Sequence, residues 1–160
     1  MASNHVSYWD PVAVGSALNR QVFFMAKWEL FKIPILAPLI RSFGAFPVKR
    51  NVRDRNAIHN AIQLLKSGKV VGIFPEGTRS HTEDMLPPHT GMVLLASKAD
   101  APILPVAVEG TRGIVGKVRV YIGKPIDIKD YSGPEKKPDR EKYVEISTII
   151  MGEIKKLLKS

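Results

Sequence analysis

The chain of 160 residues contains no cysteine, which excludes disulfides, thiolate metal sites and a cysteine nucleophile. It also contains no G-x-S-x-G sequence, so a serine hydrolase with that nucleophile turn is unsupported. No apolar run approaches the ~18 residues that a membrane-spanning helix needs, and no signal peptide is visible. The histidines show no spacing typical of metal ligands, so no metal site is expected.

Acidic residues are few relative to basic ones. The 15 Asp and Glu face 24 Lys and Arg, and the net charge is +9. Such an excess favours a polyanionic partner: nucleic acid, an anionic membrane face or a phosphorylated substrate. The length and the 44% of hydrophobic residues are ordinary for one soluble domain. Composition alone does not choose among these partners.

Predicted strands alternate with predicted helices along the chain. Short apolar runs predict extended segments at VFFMAK, FPVKR, KVVGIF, APILPVAVEGT and KVRVYIG. Helices are predicted in DPVAVGSALNR, in two proline-broken pieces of WELFKIPILAPLIRSFG, and in RDRNAIHNAIQLLK, GMVLLASKAD and REKYVEISTIIMGEIKKLLKS. The segment KPIDIKDYSGPEKKPD is predicted to be a polar loop. This alternation is typical of an α/β layer fold.

The segment PEGTRS follows directly after the predicted strand KVVGIF. In open α/β sheets, ligands bind beyond the carboxyl ends of strands. Gly77 allows the backbone to turn, and the guanidinium of Arg79 could then donate two parallel hydrogen bonds to a phosphate. Glu76 would repel that anion unless it orients an arginine or accepts a substrate hydroxyl. The alternative is a surface turn that carries only a Glu–Arg ion pair.

His5 and Asp10 lie close together in SNHVSYWDP. Asp10 has a purely structural explanation as the N-cap of the following helix, with Pro11 in its first turn. A carboxylate has about four acceptor sites, so it could also accept the N–H of a histidine ring. That bond would fix the imidazole tautomer and leave the other ring nitrogen as a general base. The spacing alone leaves both interpretations open.

Four segments in a fixed order, SNHVSYWDP, GAFPVKR, FPEGTRS and APILPVAVEGT, together resemble the sequence blocks of the glycerolipid acyltransferase family. The match is strongest to bacterial 1-acyl-sn-glycerol-3-phosphate acyltransferases. The resemblance implies a single acyltransferase domain over residues 1–160, with helices flanking a central, mixed and mostly parallel sheet. It also implies transfer of a fatty acyl group from acyl-CoA or acyl carrier protein to the free hydroxyl of lysophosphatidic acid. The product would be phosphatidic acid, and no cofactor is implied.

The resemblance also assigns roles to residues at the matching positions. His5 matches the catalytic base and Asp10 matches its partner. The residues matched to the site for the phosphate and glycerol of the acceptor are Arg50, Glu76, Gly77, Thr78 and Arg79. Pro105 matches a proline that shapes the site or the acyl pocket. Because a thioester is already activated, a base that deprotonates the acceptor hydroxyl suffices, and no covalent acyl-enzyme is needed.

Relatives in this family usually carry an apolar strand before the first block, whereas only three residues precede Asn4 here. We therefore expect the usual N-terminal strand and membrane segment to be lacking and the His5 loop to be weakly anchored. The lipid substrate implies an anionic membrane surface as a partner and a cytoplasmic protein bound peripherally to the inner face of the cell membrane. The residues available for shallow insertion are Phe23, Phe24, Trp28, Phe31 and Ile35. The alternative is that most of them belong to the core.

Other functions remain open. A nucleic-acid-binding domain would suit the charge, but no aromatic-studded RNA motif or recognition helix appears, so no nucleic-acid partner is expected. A basic module that only binds membranes would suit the aromatic residues and lysines of the second segment. Within the enzyme class, the acceptor could instead be another lysophospholipid or glycerol 3-phosphate.

Overall fold

The computed structural model of the chain describes residues 1–49, 52, 54–82, 84–113, 116–132 and 139–159. Its strands are β1 Ala2–Ser3, β2 Val22–Lys27, β3 Phe46–Val48, β4 Val70–Gly72, β5 Pro105–Glu109 and β6 Arg119–Ile122. Its helices are α1 Asp10–Ser16, α2 Leu36–Ser42, α3 Arg55–Lys66, α4 Gly91–Ala99, α5 Lys129–Ser132 and α6 Arg140–Leu157. A 3₁₀ helix spans Trp28–Lys32. Arg50, a predicted site residue, lies outside the described residues.

The strands form a mixed and mostly parallel sheet, as predicted. β3, β2 and β4 pair in parallel, β1 pairs in parallel with β5, and β6 runs antiparallel to β5. The two sets meet just beyond β4, where the N–H of Ile73 donates to the carbonyl of Met1 and the N–H of Ser3 donates to the carbonyl of Ile73, both at 3.1 Å. The strand order is therefore β3-β2-β4-β1-β5-β6.

The short strand β1 is not predicted by the sequence, and it anchors the His5 loop. Ala2 and Ser3 are fully buried between β4 and β5. The side chain of Asn4 continues the pairing: it accepts from the N–H of Val108 at 2.8 Å and donates to the Val108 carbonyl at 2.9 Å. The expectation of a weakly anchored loop is therefore wrong, because hydrogen bonds on both sides hold residues 2–4.

Alternation along β5 shows that helices cover both faces of the sheet. Val106 and Val108 pack with Val14 of α1. The intervening Ala107 points to the opposite face and packs with Ile150 of α6. Each such buried aliphatic side chain contributes roughly 1.5–3 kcal/mol relative to an exposed one. The predicted α/β layer arrangement is confirmed, with one local difference: α5 lies in the segment predicted to be a loop.

Parallel pairing brings the loops of the predicted site together. β1, β4 and β5 run in the same direction, so the loops that follow them leave the same edge of the sheet. The loop after β1 carries His5, the loop after β4 carries Glu76, and Thr111 follows β5.

In the parts of the chain described above, the helices are too short or too polar to cross a bilayer.

Candidate active site

The structure brings His5 and Asp10 into direct contact. His5 Nδ1 lies 2.8 Å from Asp10 Oδ2. The imidazole stacks on the ring of Phe74, with ring centroids 4.1 Å apart and an interplanar angle of 20°. Nε2 forms no hydrogen bond with any residue that the structure describes. The ring is thus held by its Nδ1 side and by its face, while Nε2 is the nitrogen left for a substrate hydroxyl.

The carboxylate of Asp10 is fully buried and accepts four hydrogen bonds. Besides the His5 ring, Oδ2 accepts from the backbone N–H groups of Val6 at 2.6 Å and Ser7 at 2.7 Å. Oδ1 accepts from the hydroxyl of Thr111 at 2.5 Å. A carboxylate has about four acceptor sites, so this one is saturated by the protein.

The predicted N-cap role of Asp10 is wrong. Asp10 is the first residue of α1, and Trp9 occupies the N-cap position without a side-chain cap. Pro11 does lie in the first turn, as predicted. The carboxylate turns back towards the loop before the helix, because the N–H groups of that loop would otherwise be buried without acceptors.

The hydrogen bonds decide the charge of Asp10. Burial by itself raises the pKa of this carboxyl, but the bonds from His5, Thr111, Ser7 and Val6 outweigh burial, and the pKa lies below its ordinary value. Asp10 is therefore an anion at neutral pH. A buried anion at Nδ1 favours the tautomer with the proton on Nδ1, which makes Nε2 the acceptor nitrogen of the ring.

The second buried carboxylate, that of Glu76, accepts hydrogen bonds from backbone N–H groups. Its Oε1 accepts from the N–H of His5 at 2.7 Å, and its Oε2 accepts from the N–H of Leu86 at 2.8 Å. Among the described residues it forms no ion pair with an arginine, so the alternative of a simple Glu–Arg surface turn is wrong. Its observed contacts tie the His5 loop to the loop after β4.

Arg79 stands against the His5 loop. Its guanidinium lies over the ring of Tyr8, with Cζ 3.5 Å from the ring centroid, and Nη2 donates to the Tyr8 hydroxyl at 2.8 Å. Thr78 beside it is exposed. Gly77 has φ of +68°, and a Cβ there would lie 2.7 Å from Cδ2 of His89. Only glycine fits that position without strain, so the turn that presents Arg79 depends on it.

Pro105 does not lie beside these groups. It is the first residue of β5, and its carbonyl accepts from the N–H of Gly123 at 2.9 Å. At roughly 3.3 Å per residue, the far end of β5 is about 13 Å away. Pro105 therefore lies at the opposite end of β5 from Thr111, and its role in shaping the site or acyl pocket stays a prediction.

Sequence reasoning missed Thr111, Phe74 and Tyr8 as neighbours of the predicted residues. The sequence does place Thr111 at the end of a predicted strand, where ligands of α/β sheets bind, but the parallel pairing of that strand with β1 comes only from the structure. Arg112 next to it donates to the carbonyls of Ser80, His81 and Thr82, which ties the loops after β4 and β5 together. Within the described ranges, no three His, Asp or Glu side chains converge to hold a metal.

A sequence model of the Acyltransferase family matches residues 1–109. The chain belongs to this family. It is 32% identical over 98% of its length to a 1-acyl-sn-glycerol-3-phosphate acyltransferase of Bacillus subtilis, of which it spans 79%. It is 37% identical over 81% of its length to the Streptococcus pneumoniae protein of the same name, of which it spans 50%.

A solved acyltransferase has the same fold. The 1-acyl-sn-glycerophosphate (LPA) acyltransferase PlsC from Thermotoga maritima superposes with a TM-score of 0.72 at 31% identity. The alignment covers 99% of this chain and 66% of the Thermotoga protein. The predicted family and fold are thereby confirmed.

Proposed function

We propose that this acyltransferase transfers a fatty acyl group to the free hydroxyl of 1-acyl-sn-glycerol 3-phosphate and forms phosphatidic acid. The observation that carries the proposal is the 2.8 Å contact between His5 Nδ1 and the buried Asp10. It occurs in a chain whose relatives from B. subtilis and S. pneumoniae are named for that acceptor. The acyl donor is a thioester, acyl-CoA or acyl carrier protein, and no cofactor takes part.

The reaction follows from the arrangement of the pair. His5 Nε2 accepts the proton of the acceptor hydroxyl while that oxygen attacks the carbonyl carbon of the thioester. The new C–O ester bond forms, the C–S bond breaks, and the leaving sulfur takes the proton from the imidazolium. Asp10 stabilises the transient imidazolium through Nδ1–H. General-base catalysis of this kind contributes about 10²–10⁴-fold to the rate.

We assign the acceptor phosphate to Arg79, together with Arg50 and the backbone turn of Gly77 and Thr78. A guanidinium can donate two parallel hydrogen bonds to a phosphate. The contact of Arg79 with Tyr8 places this cation against the same loop that carries His5. The phosphate would thus be bound at the loop that carries the base.

One assay tests the activity. The purified chain is incubated with acyl-CoA or acyl carrier protein thioesters and a panel of acceptors: lysophosphatidic acid, lysophosphatidylcholine, lysophosphatidylglycerol and glycerol 3-phosphate. Products are identified by mass spectrometry, with His5→Ala as the blank. We expect phosphatidic acid as the main product. Preferred acylation of another acceptor would replace the proposed substrate, and absence of transfer from every donor would contradict the function.

We also propose that the protein acts as a peripheral protein at the cytoplasmic face of the cell membrane. Its acceptor is a lipid, and a net charge of +9 is attracted to anionic headgroups. Cell fractionation tests this: the protein should sediment with membranes at low salt and be released by high salt. Release only by detergent would contradict peripheral binding.

A further inference from the structure

One side of α2 carries a row of large, exposed apolar side chains. Ile35 just before the helix is 87% exposed, Leu39 within it 52% and Phe43 just after it 60%. A spacing of four residues places all three on one side of the helix. We call them the α2 stripe. Contiguous exposed apolar surface of this kind marks a site of interaction.

Cations lie in and beside the segment that carries the α2 stripe. Lys32 Nζ lies 4.5 Å and Lys49 Nζ 5.5 Å from the ring centroid of Trp28, and Arg41 Cζ lies 5.0 Å from the ring centroid of Phe31. Between residues 27 and 49 the sequence has four cations and a single carboxylate. That carboxylate belongs to Glu29 and pairs with Lys27 at 3.4 Å. Apolar side chains ringed by basic and aromatic ones are typical of segments that lie in a membrane interface.

The 3₁₀ helix before the α2 stripe starts at the edge of the sheet that carries the candidate active site. Trp28 directly follows β2 and Lys49 directly follows β3, and both strands run parallel to β4. They therefore leave the sheet at the same edge as His5. On the His5 loop itself, Trp9 is 65% exposed. The α2 stripe begins close to this edge in the sequence, at Ile35, and ends at Phe43, beside the start of β2 at the opposite edge.

The structure changes the set of residues expected to insert into a membrane. Phe24 is buried against β5, and Phe23 packs on the core beneath α3, so their predicted insertion is wrong. Ile35 remains, and Leu39 and Phe43 join it. The sequence pattern did not separate these groups because apolar strand residues and apolar surface residues lie in one continuous stretch.

We propose that the α2 stripe docks on an anionic bilayer together with Trp28, which lies at the active-site edge and brings that edge next to the lipid acceptor. This inference rests on the proposed function, because an acyltransferase acting on a membrane lipid must meet the bilayer with its site. A second copy of the chain fits the surface less well, since two cationic faces would oppose each other.

The test compares two matched double variants. The stripe variant, Ile35→Ser with Leu39→Ser, removes two exposed apolar side chains of the α2 stripe. The control variant, Ile122→Ser with Val144→Ser, removes two comparably exposed apolar side chains from β6 and α6, away from the stripe. Binding is measured by co-sedimentation with vesicles of equimolar phosphatidylcholine and phosphatidylglycerol. Transfer is measured with a vesicle-embedded and with a monomeric short-chain lysophosphatidic acid. Light scattering during gel filtration gives the oligomeric state without lipid.

We expect the stripe variant to bind vesicles about tenfold more weakly or worse, and to lose transfer to the embedded acceptor only. The control variant should match the parent in both assays. In a Trp9→Phe background, anionic vesicles should shift the emission of Trp28 to the blue.

If the stripe variant and the parent bind vesicles equally well, the proposed docking surface is wrong. If both also transfer the acyl group to lysophosphatidic acid, the proposed function still holds. Stripe-dependent binding without any transfer by the parent would support the docking surface and contradict the function. A parent dimer that becomes a monomer in the stripe variant would show self-association and overturn the bilayer as the partner.

Discussion

Two loops meet at the candidate site, and each contributes one buried carboxylate that is used differently. Asp10, where the loop after β1 ends and α1 begins, accepts from the ring of His5 and the hydroxyl of Thr111 as well as from backbone N–H groups. Glu76, in the loop after β4, accepts in the described contacts from the backbone N–H groups of His5 and Leu86. Both carboxylates approach the same histidine, one through its ring and the other through its main chain.

The different hydrogen-bond partners give the two carboxylates different roles: Asp10 acts electrostatically on the His5 ring, and Glu76 fixes the backbone. An imidazole can gain or lose a proton at neutral pH, so a carboxylate beside it affects how readily a substrate proton is taken up. A peptide N–H cannot ionise, so Glu76 acts on His5 by holding the position of its backbone. The loop after β1 should therefore control the chemical step, and the loop after β4 should control geometry and, through Arg79, the choice of acceptor.

The largest expected effect belongs to His5. His5→Ala removes the base and should lower kcat by about 10²–10⁴-fold, with a small change in the melting temperature, because the backbone bonds of residue 5 remain. Steady-state kinetics and circular dichroism measure the two quantities. His59→Ala, an exposed histidine on α3, is the matched control and should be fully active. A His5→Ala protein with more than a tenth of the parent rate would exclude it as the base.

The second largest expected effect concerns Arg79, in the loop after β4. Arg79→Lys keeps the charge but loses the guanidinium fork, so kcat/KM for lysophosphatidic acid should fall by about 10–100-fold. Arg20→Lys, near Gly68, serves as the matched control and should leave kcat/KM unchanged. If a neutral monoacylglycerol is turned over at all, an equal loss on it would argue against a phosphate contact.

Amide substitutions of the two carboxylates should have different effects, one mainly on kcat and the other mainly on stability. In Asp10→Asn, the new NH₂ can face Thr111, whose hydroxyl can turn to accept, so the partners remain satisfied. In Glu76→Gln, the NH₂ must face a backbone N–H, and a buried unsatisfied donor costs about 1–3 kcal/mol. We expect Glu76→Gln to cost more stability in urea unfolding, and Asp10→Asn to lose more kcat for each kcal/mol of stability lost.

If Asp10→Asn keeps the parent kcat, the electrostatic role of Asp10 is wrong. If Glu76→Gln leaves the free energy of unfolding unchanged, the backbone bonds of Glu76 are not what holds the loops together.

The smallest expected effect concerns Thr111 and acid stability. The pKa of Asp10 is lowered in the folded state, so its contribution to stability is complete above the ordinary aspartate pKa of about 3.9 and is lost as the pH falls through the lower folded value. Thr111→Val removes one of the bonds that lower this pKa. It should therefore reduce stability by about 1 kcal/mol at neutral pH and reduce its acid dependence.

We expect Thr111→Val to lower kcat severalfold with KM unchanged, because it acts on the chemical step through Asp10. Thr111→Ser keeps the hydroxyl and should restore both quantities. Urea unfolding between neutral pH and pH 3 measures the acid dependence. Identical acid profiles for Thr111→Val and the parent would show that this hydroxyl does not help to hold Asp10 as an anion.

Most elements of the fold were predictable because their signals are local. The apolar stripe of α3, the glycine that ends it and the prolines around residues 34–38 act on neighbouring residues. β1 escaped prediction because two residues carry no periodicity, and they form a strand only between two partners from elsewhere in the chain. Asp10 was misassigned as a cap because the local sequence suits a cap, whereas its carboxylate turns back to the N–H groups of Val6 and Ser7 and reaches the distant Thr111.

The sequence by itself determined most of the elements, the presence of His5, Asp10, Glu76 and Arg79, and the resemblance that led to the family. These depend on short-range periodicity, turn chemistry and motif order. Only the tertiary structure decided what each side chain contacts. Thr111 reaches Asp10 across 101 positions and Glu76 reaches His5 across 71. Such pairings arise from the packing of parallel strands, which places the ends of distant segments at one edge.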